Sequence, residues 1–515
     1  MAIVALSWLS AALRQVSRTV ADVESPQTYA LLRIGLGALV IANVSTLWPI
    51  LEYLYSDHGL VPAARVCGRG MANLSVLCHL PPDWGPQAFL VGFTAITTAF
   101  TLGLATRVTG VLTVVLHASL WWRTTYVSWA GEHCFADFLF ILCFARCGEA
   151  YSIDRWLRGR RGAAWTPVPS WPRYLLILQV TLCLGVNGWA KWGEEWRSGT
   201  ALHYVLANDR FHRFPSWTLL HTLGPTIMRA LTYVAWLTER CFPLVVLGLL
   251  IRPWLRRASA PGAVLRIADW LLGRRLWAPL AIALLLGITT LLNVGWFVPA
   301  TAVAVLCLFR GDELGRLLPG ARALDPAAPR KPWRLVAAAL FVSWHGWVIT
   351  TRAIVPLTGE TVAEPIVSAM LGYQQLTGTN QYWRMFSPGV PRHSLLLRVV
   401  VVTADGDSVD AWSDLDLLDH GRRINFPYDR RQKVHAVLTD HGRNNETLRT
   451  AHARWVCHGW RDATGRPPAQ VVLSRIEESL ISPHWSRYYG PVDPHEVSGM
   501  PPREVELTRI RCDET

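Results

Sequence analysis

Residues 171–206 read WPRYLLILQVTLCLGVNGWAKWGEEWRSGTALHYVL, an apolar run that opens at Trp171 and closes on one lysine, Lys191, set among Trp189, Trp192 and Trp196. A run of this length suits a bilayer crossing. Burial disfavours the charged form of an amine, so a lysine held by aromatics at the mouth of a span is poised to give up its proton. Lys191 is therefore a candidate base.

The pattern recurs on both sides of this stretch. Of the 515 residues 51% are apolar and only 17% charged, and the apolar residues fall into blocks of about 17 to 25, the length of a membrane helix. Candidate spans are Tyr29–Leu54, Gln87–Leu104, Val108–Trp122, Cys134–Cys147, Tyr174–Ala190, Met228–Ile251 and Arg334–Val355. Leu276–Phe309 is too long for one crossing and is interrupted by Gly295 and Pro299, which reads as a hairpin of two helices. Tryptophans such as Trp121, Trp122, Trp277 and Trp333 cluster at span ends, where amphipathic rings favour the headgroup layer.

The net charge of +13 would point to nucleic acid in a soluble protein. Here the arginines lie in short loops between apolar blocks, where they act as topology signals, and nucleic acid is excluded. Arg155, Arg158, Arg160 and Arg161 form one such loop; Arg252, Arg256, Arg257, Arg266, Arg274 and Arg275 a second; Arg310, Arg316, Arg322, Arg330 and Lys331 a third. Nine spans with a cytoplasmic N-terminus carrying Arg14 and Arg18 place all three inside, and place the Lys191 loop and the tail outside. The expected fold is thus an all-α polytopic membrane protein of about nine transmembrane helices with a small C-terminal α+β extracytoplasmic domain. Residues 1–27 form an N-terminal cytoplasmic or interfacial segment, residues 28–356 the multi-span domain and residues 357–515 the outer domain. In that tail SLLLRVVVV, the turn ADGD, a helix from about Arg431 to Trp460 and the strand-like AQVVLSRIEE carry the α+β signal.

Ionisable residues inside spans are expensive and carry the functional candidates. His133 and Asp137 stand four apart on one helical face, at a depth matching Lys191, and together they line one expected pocket. Trp189, Trp192 and Asp137 are its expected binding residues, with Lys191 and His133 catalytic. Arg33 and Glu239 read as a structural ion pair tying two spans, and His117 and His345 as interior histidines. Cys134, Cys143, Cys147, Cys183, Cys241 and Cys307 sit in spans as packing residues, whereas Cys67 and Cys78 share an outer loop and Cys457 and Cys512 the outer tail. These four are disulfide candidates with three possible connectivities. No cysteine and histidine spacing suits a metal, and none is expected.

Several stretches carry a resemblance: YALLRIGLGALVI, LYSDHGLVP, GLATRVTGVL, SWAGEHCFADFLF leading into GEAYSIDRW, GWAKWGEEWRSGTALHYVL, TERCFPL and NQYWRMFSP. From about Tyr29 to Pro388 the chain resembles the HTTM family, the horizontally transferred transmembrane domain related to vitamin K-dependent γ-glutamyl carboxylase. The resemblance implies nine spans with an outer or lumenal C-terminus. It also implies a role for Lys191, which matches the carboxylase lysine that deprotonates vitamin K hydroquinone before a γ-proton is taken from a glutamate and the carbanion attacks carbon dioxide. The carboxylase histidine that follows an SW-N-N pattern corresponds to His133 with one residue inserted. The tail is shorter than the carboxylase's substrate-binding region, and the histidine before the FP motif is replaced in LLLGITTLLNVGWFVP by Thr289, Thr290 and Asn293 as the nearest polar residues.

Two functions follow as expectations. The first is a lipid-quinone-dependent enzyme that uses a reduced naphthoquinone, with Lys191 as base, on a secreted or membrane-proximal peptide or protein. The alternative is a non-enzymatic membrane factor for maturation, export or immunity of a secreted peptide, with tail aromatics Trp455, Trp460, Trp485 and Tyr488 as anchors. A solute carrier is disfavoured because no pair of broken helices recurs in two halves.

Overall fold

The computed structural model describes residues 20–513 apart from 125–129, 161, 209, 212, 215, 258, 260, 319–321, 327–330, 360, 381–382, 412–429, 441–444, 481 and 484–501. The expected N-terminal interfacial segment with Arg14 and Arg18, and tail aromatics Trp485 and Tyr488, lie outside the described residues.

Helices of eight or more residues, numbered in chain order, are α1 (Gln27–Ser45), α2 (Gly85–Leu102), α3 (Thr106–Arg123), α4 (Ala130–Leu142), α5 (Trp171–Ala190), α6 (Ser216–Cys241), α7 (Leu244–Arg257), α8 (Gly262–Leu271), α9 (Arg274–Leu291), α10 (Phe297–Ala304), α11 (Pro332–Thr358), α12 (Glu364–Thr377), α13 (Arg431–Thr439) and α14 (Glu446–Thr464). Local chemistry explains where they start and stop. Pro172 stands in the first turn of α5, where its missing N–H costs nothing. Gly103 ends α2 in the left-handed conformation that an L side chain avoids. Pro225 follows Gly224, whose φ of 67° breaks α6 in two. Between α9 and α10 the chain leaves the helix and turns at Gly295, φ 69°; this is the helical hairpin read from Leu276–Phe309.

Among the described residues three segments are long and apolar enough to cross a membrane: Gln27–Tyr55, Thr222–Leu249 and Gly262–Leu291. Helices also form at the other expected crossings, as α2, α3, α4, α5 and α11. The mostly helical protein is therefore a membrane protein with a small sheet region. α5 is its central post, buried on nearly every side between Trp171 and Gly188.

The loop rich in Arg252–Arg275 is largely helical, as the end of α7 and the whole of α8. The expected pair of Arg33 with Glu239 does not form. Arg33 donates to the carbonyls of Cys147 at 2.7 Å and Tyr151 at 2.5 Å, at the opposite end of the bundle from Glu239. Chain leaving α4 has no helical partner for these carbonyls, and the guanidinium fork supplies the missing donors.

The tail forms a four-stranded antiparallel sheet of β3 (His393–Val402), β4 (Ser408–Asp410), β5 (Gln470–Ser479) and β6 (Arg503–Arg511) in the order β4-β3-β5-β6. A separate two-stranded ribbon pairs β1 (Val23–Glu24) with β2 (Val168–Pro169). The ADGD turn closes β3 onto β4 with Gly406 at φ 91°. The helix expected over 431–460 is two helices, α13 and α14, separated at Asp440–Asn445. Cysteines pair as Cys67 with Cys78 and Cys457 with Cys512, while Cys134, Cys143, Cys147, Cys183, Cys241 and Cys307 stay free.

Sheet and bundle share one hydrophobic core, which runs from Tyr29 and Phe138 to Val399, Val434 and Cys457. Polar contacts fix the seam. Arg430 donates to Glu132 at 2.8 Å and to Thr46 at 2.8 Å, and Tyr53 hydrogen-bonds Nδ1 of His452 at 2.8 Å.

Candidate functional site

Lys191 follows the last residue of α5 and its side chain is buried. Its ammonium does not stand alone: it forms an ion pair with Oε2 of Glu239 on α6. The other carboxylate oxygen accepts from Asn187 Nδ2 at 3.0 Å. Asn187 lies four residues before Lys191, so both side chains leave α5 on one face. The face of Trp196 covers the amine, with Nζ 4.4 Å from the ring centroid.

Gly188 makes this meeting possible. A Cβ there would stand 2.4 Å from the Arg240 nitrogen and 2.7 Å from the Glu239 carbonyl carbon, so only glycine lets α5 approach the backbone of α6. Trp236 donates to the Gly188 carbonyl at 3.2 Å across the same contact.

The trio of Lys191, Glu239 and Asn187 sits at one side of a cavity of about 290 Å³ between α5, α6, α9 and the Trp196 loop. Its remaining walls are almost wholly apolar, among them Leu231, Leu284, Ile288 and Phe297, with Met385 and Phe386 contributed from the tail. One polar atom in the lining has no partner: Oδ1 of Asn187 is buried and accepts nothing among the described residues. Gly287 faces open space, since a Cβ there would meet nothing within 4 Å.

The segment after α12 holds the Lys191 loop in place. Trp196 Nε1 donates to the Phe386 carbonyl at 2.8 Å, and Gly193 N to the Pro388 carbonyl at 2.8 Å. Arg392 reaches Glu195 at 2.6 Å and Glu194 at 2.7 Å; these two carboxylates hold its guanidinium above the usual range. Three stretches quoted separately from the sequence, GWAKWGEEW, TERCF and WRMFSP, therefore close around one cavity.

Other expected site residues lie elsewhere. Trp189 is half exposed, donates to the Arg240 carbonyl at 3.0 Å and carries the Arg240 guanidinium on its face at 4.4 Å. Trp192 is 63% exposed. Both turn away from the cavity, and Trp196 is the aromatic that reaches Lys191. Asp137 accepts from Gln179 at 2.7 Å, and Gln179 lies twelve residues before Lys191, or about 18 Å along the helix axis. His133 does not line the cavity. It lies within electrostatic reach of His117 and of Lys433 in the tail. His117 is buried with edge-on contacts to Phe93 and Phe135, and His345 hydrogen-bonds Tyr373 at 2.9 Å while stacking on Phe341.

Buried helices long and apolar enough to cross a membrane, with an apolar cavity and a buried ion pair between them, define a helical membrane protein. Residues 26–252 match the family model described as HTTM domain, which supports the HTTM family for that part of the chain. No curated protein and no solved structure matches the chain.

Proposed function

We propose that the protein seats a lipid-soluble hydroquinone of the vitamin K type in the Lys191 cavity and uses it to modify a secreted or membrane-proximal peptide, as the likeness to γ-glutamyl carboxylase implies. On this reading the chain has nine spans with its tail extracytoplasmic, and Lys191 opens toward that side. The observation that carries the proposal is one polar trio with an unpartnered acceptor, Asn187 Oδ1, in an otherwise oily cavity walled by α6 and α9. Its volume lies near the lower end of small-ligand sites, roughly 300–1,000 Å³, and suits a ring system whose tail trails into the bilayer.

A bound hydroquinone would supply the reducing equivalents. The chain's own residues supply position and proton handling. Asn187 Oδ1 accepts a hydrogen bond from a ring hydroxyl, and the Lys191–Glu239 pair takes the hydroxyl proton, with the charge change shared between amine and carboxylate. Neutral Lys191 acting alone is replaced by this two-residue unit. Trp196 and Phe386 keep water from the pair.

Mass spectrometry of lipids extracted from the purified full-length protein tests the reading. Wild type should retain a naphthoquinone, Lys191→Ala should lose hydroquinone oxidation while still folding, and Gly287→Phe should fill the cavity and lose the ligand. Protein isolated from quinone-containing membranes with no bound quinone, yet with a secreted peptide attached, would favour the non-enzymatic role in peptide maturation, export or immunity.

A further inference from the structure

At the end of the bundle opposite Lys191 a second cavity, of about 440 Å³, opens between the α2–α3 turn and the segment after α4. Two of the stretches quoted for the family resemblance, GLATR and GEAYSID, form its walls. Asp154 N donates to the Gly103 carbonyl at 2.9 Å, and the Asp154 carboxylate caps α3 through Ala105 N at 2.6 Å and Thr106 N at 2.8 Å. Both carboxylate oxygens are thus committed to the helix terminus.

Arg107, Arg146 and Arg158 line the same cavity. Arg146 and Arg158 share a single oxygen, Oε1 of Glu149, at 2.9 and 3.3 Å. The exposed Arg107 side chain makes no hydrogen bond or ion pair among the described residues. Arg158 also donates to the Asp154 carbonyl at 3.0 Å and the Gly148 carbonyl at 3.4 Å, so Arg107 and Arg146 hold the donors left for an added anion. Guanidinium matches phosphate oxygens in a planar, two-pronged geometry.

The rim of the cleft is apolar. Val108 and Leu157 are 61% and 62% exposed, and Leu104 and Trp156 stand exposed beside them. Arginines next to exposed aliphatic and indole side chains match the headgroup layer of a membrane, where a phosphate and an acyl chain lie side by side. We propose that this cleft binds the phosphodiester headgroup of an anionic phospholipid, with the arginines on the phosphate and the acyl chains over Val108 and Leu157. Free phosphate shares the charged half of this chemistry but gains nothing from the apolar rim. The site is independent of what occupies the Lys191 cavity.

Full-length protein reconstituted in nanodiscs of mixed phosphatidylglycerol and phosphatidylcholine, then released for native mass spectrometry, reports which lipid stays bound. Wild type should retain phosphatidylglycerol in preference to phosphatidylcholine. Arg107→Gln, which breaks no internal contact, should weaken that preference about tenfold, the effect of one charge-assisted contact. Arg65→Gln removes the same charge from the loop before α2 and should leave the preference intact. Equal retention of the two lipids by wild type, an unchanged preference in Arg107→Gln, or an equal loss in Arg65→Gln would overturn the proposal. Displacement of the bound lipid by millimolar inorganic phosphate would overturn the lipid assignment in favour of a free-anion site.

Discussion

Removal of the Glu239 carboxylate offers the sharpest probe of the Lys191 site. The two side chains of the pair are only 5% and 3% exposed, so in Glu239→Ala the ammonium is left without its counter-charge and without access to water. Loss of one partner of a buried pair costs about 3–5 kcal/mol. The Trp196 face recovers part of this, up to about 2 kcal/mol for a desolvated cation over an indole. A net loss of roughly 1–5 kcal/mol should therefore remain. Replacing both partners by apolar residues, Lys191→Met with Glu239→Leu, removes the stranded charge as well as the pair and should restore most of that stability. Equilibrium unfolding of full-length wild type, Lys191→Met, Glu239→Leu and the double variant in detergent, followed by tryptophan fluorescence, completes a double-mutant cycle. A double variant whose loss equals the sum of the two single losses would refute the ion pair described here.

Two further outcomes follow. Gly188→Ala drives a methyl against the Glu239–Arg240 backbone and should cost about 1–3 kcal/mol together with quinone retention, whereas Gly287→Ala, which meets empty space, should be neutral or mildly stabilising; the same unfolding assay separates them. At the seam between loop and tail, the rings of His58 and His458 lie 4.5 Å apart, and His458 is held below its ordinary value by burial first, then by His58 and Arg461, with Asp462 opposing. A depressed histidine favours proton uptake by the unfolded state, so its contribution is complete at neutral pH and declines as pH falls through about 6.5. The thermal midpoint should be lower at pH 5.5 than at pH 7.5, and His458→Gln should flatten the difference; an identical slope in the variant would count against the histidine pair.

How much of this was readable from the sequence depends on the range over which each signal acts. Apolar blocks and their breakers mark α1, α5 and the α9–α10 hairpin well, because span length and the Gly295 interruption are local properties. The four outer cysteines were singled out by their segregation from the spans, although their pairing needed the fold. Strand β6 escaped notice: its pairing with β5 shifts at Leu473/Ser474, so its alternation changes face partway and reads as a charged coil. Lys191 was evident as a lone lysine ending an apolar run, and Asn187, one helical turn earlier, was available to the same argument. Its carboxylate partner was misassigned. Glu239 and Arg33 are both buried charges in apolar helices, and a sequence records no depth at which either charge stops. Trp189, in the last turn of α5, and Trp192, just beyond it, both stand outside the cavity lining, since proximity along the chain does not place a ring on the face that meets Glu239.

The wall built by Met385 and Phe386 has a bearing on how the protein is made. Trp196 and Phe386 are 190 positions apart in the chain, which at a synthesis rate of about 5–20 residues per second amounts to roughly 10–40 s. For most of that interval α5 and α6 are made but the Met385–Phe386 wall is not, and the cleft beside Lys191 lacks one flank. The cavity wall is therefore complete only when the last quarter of the polypeptide arrives.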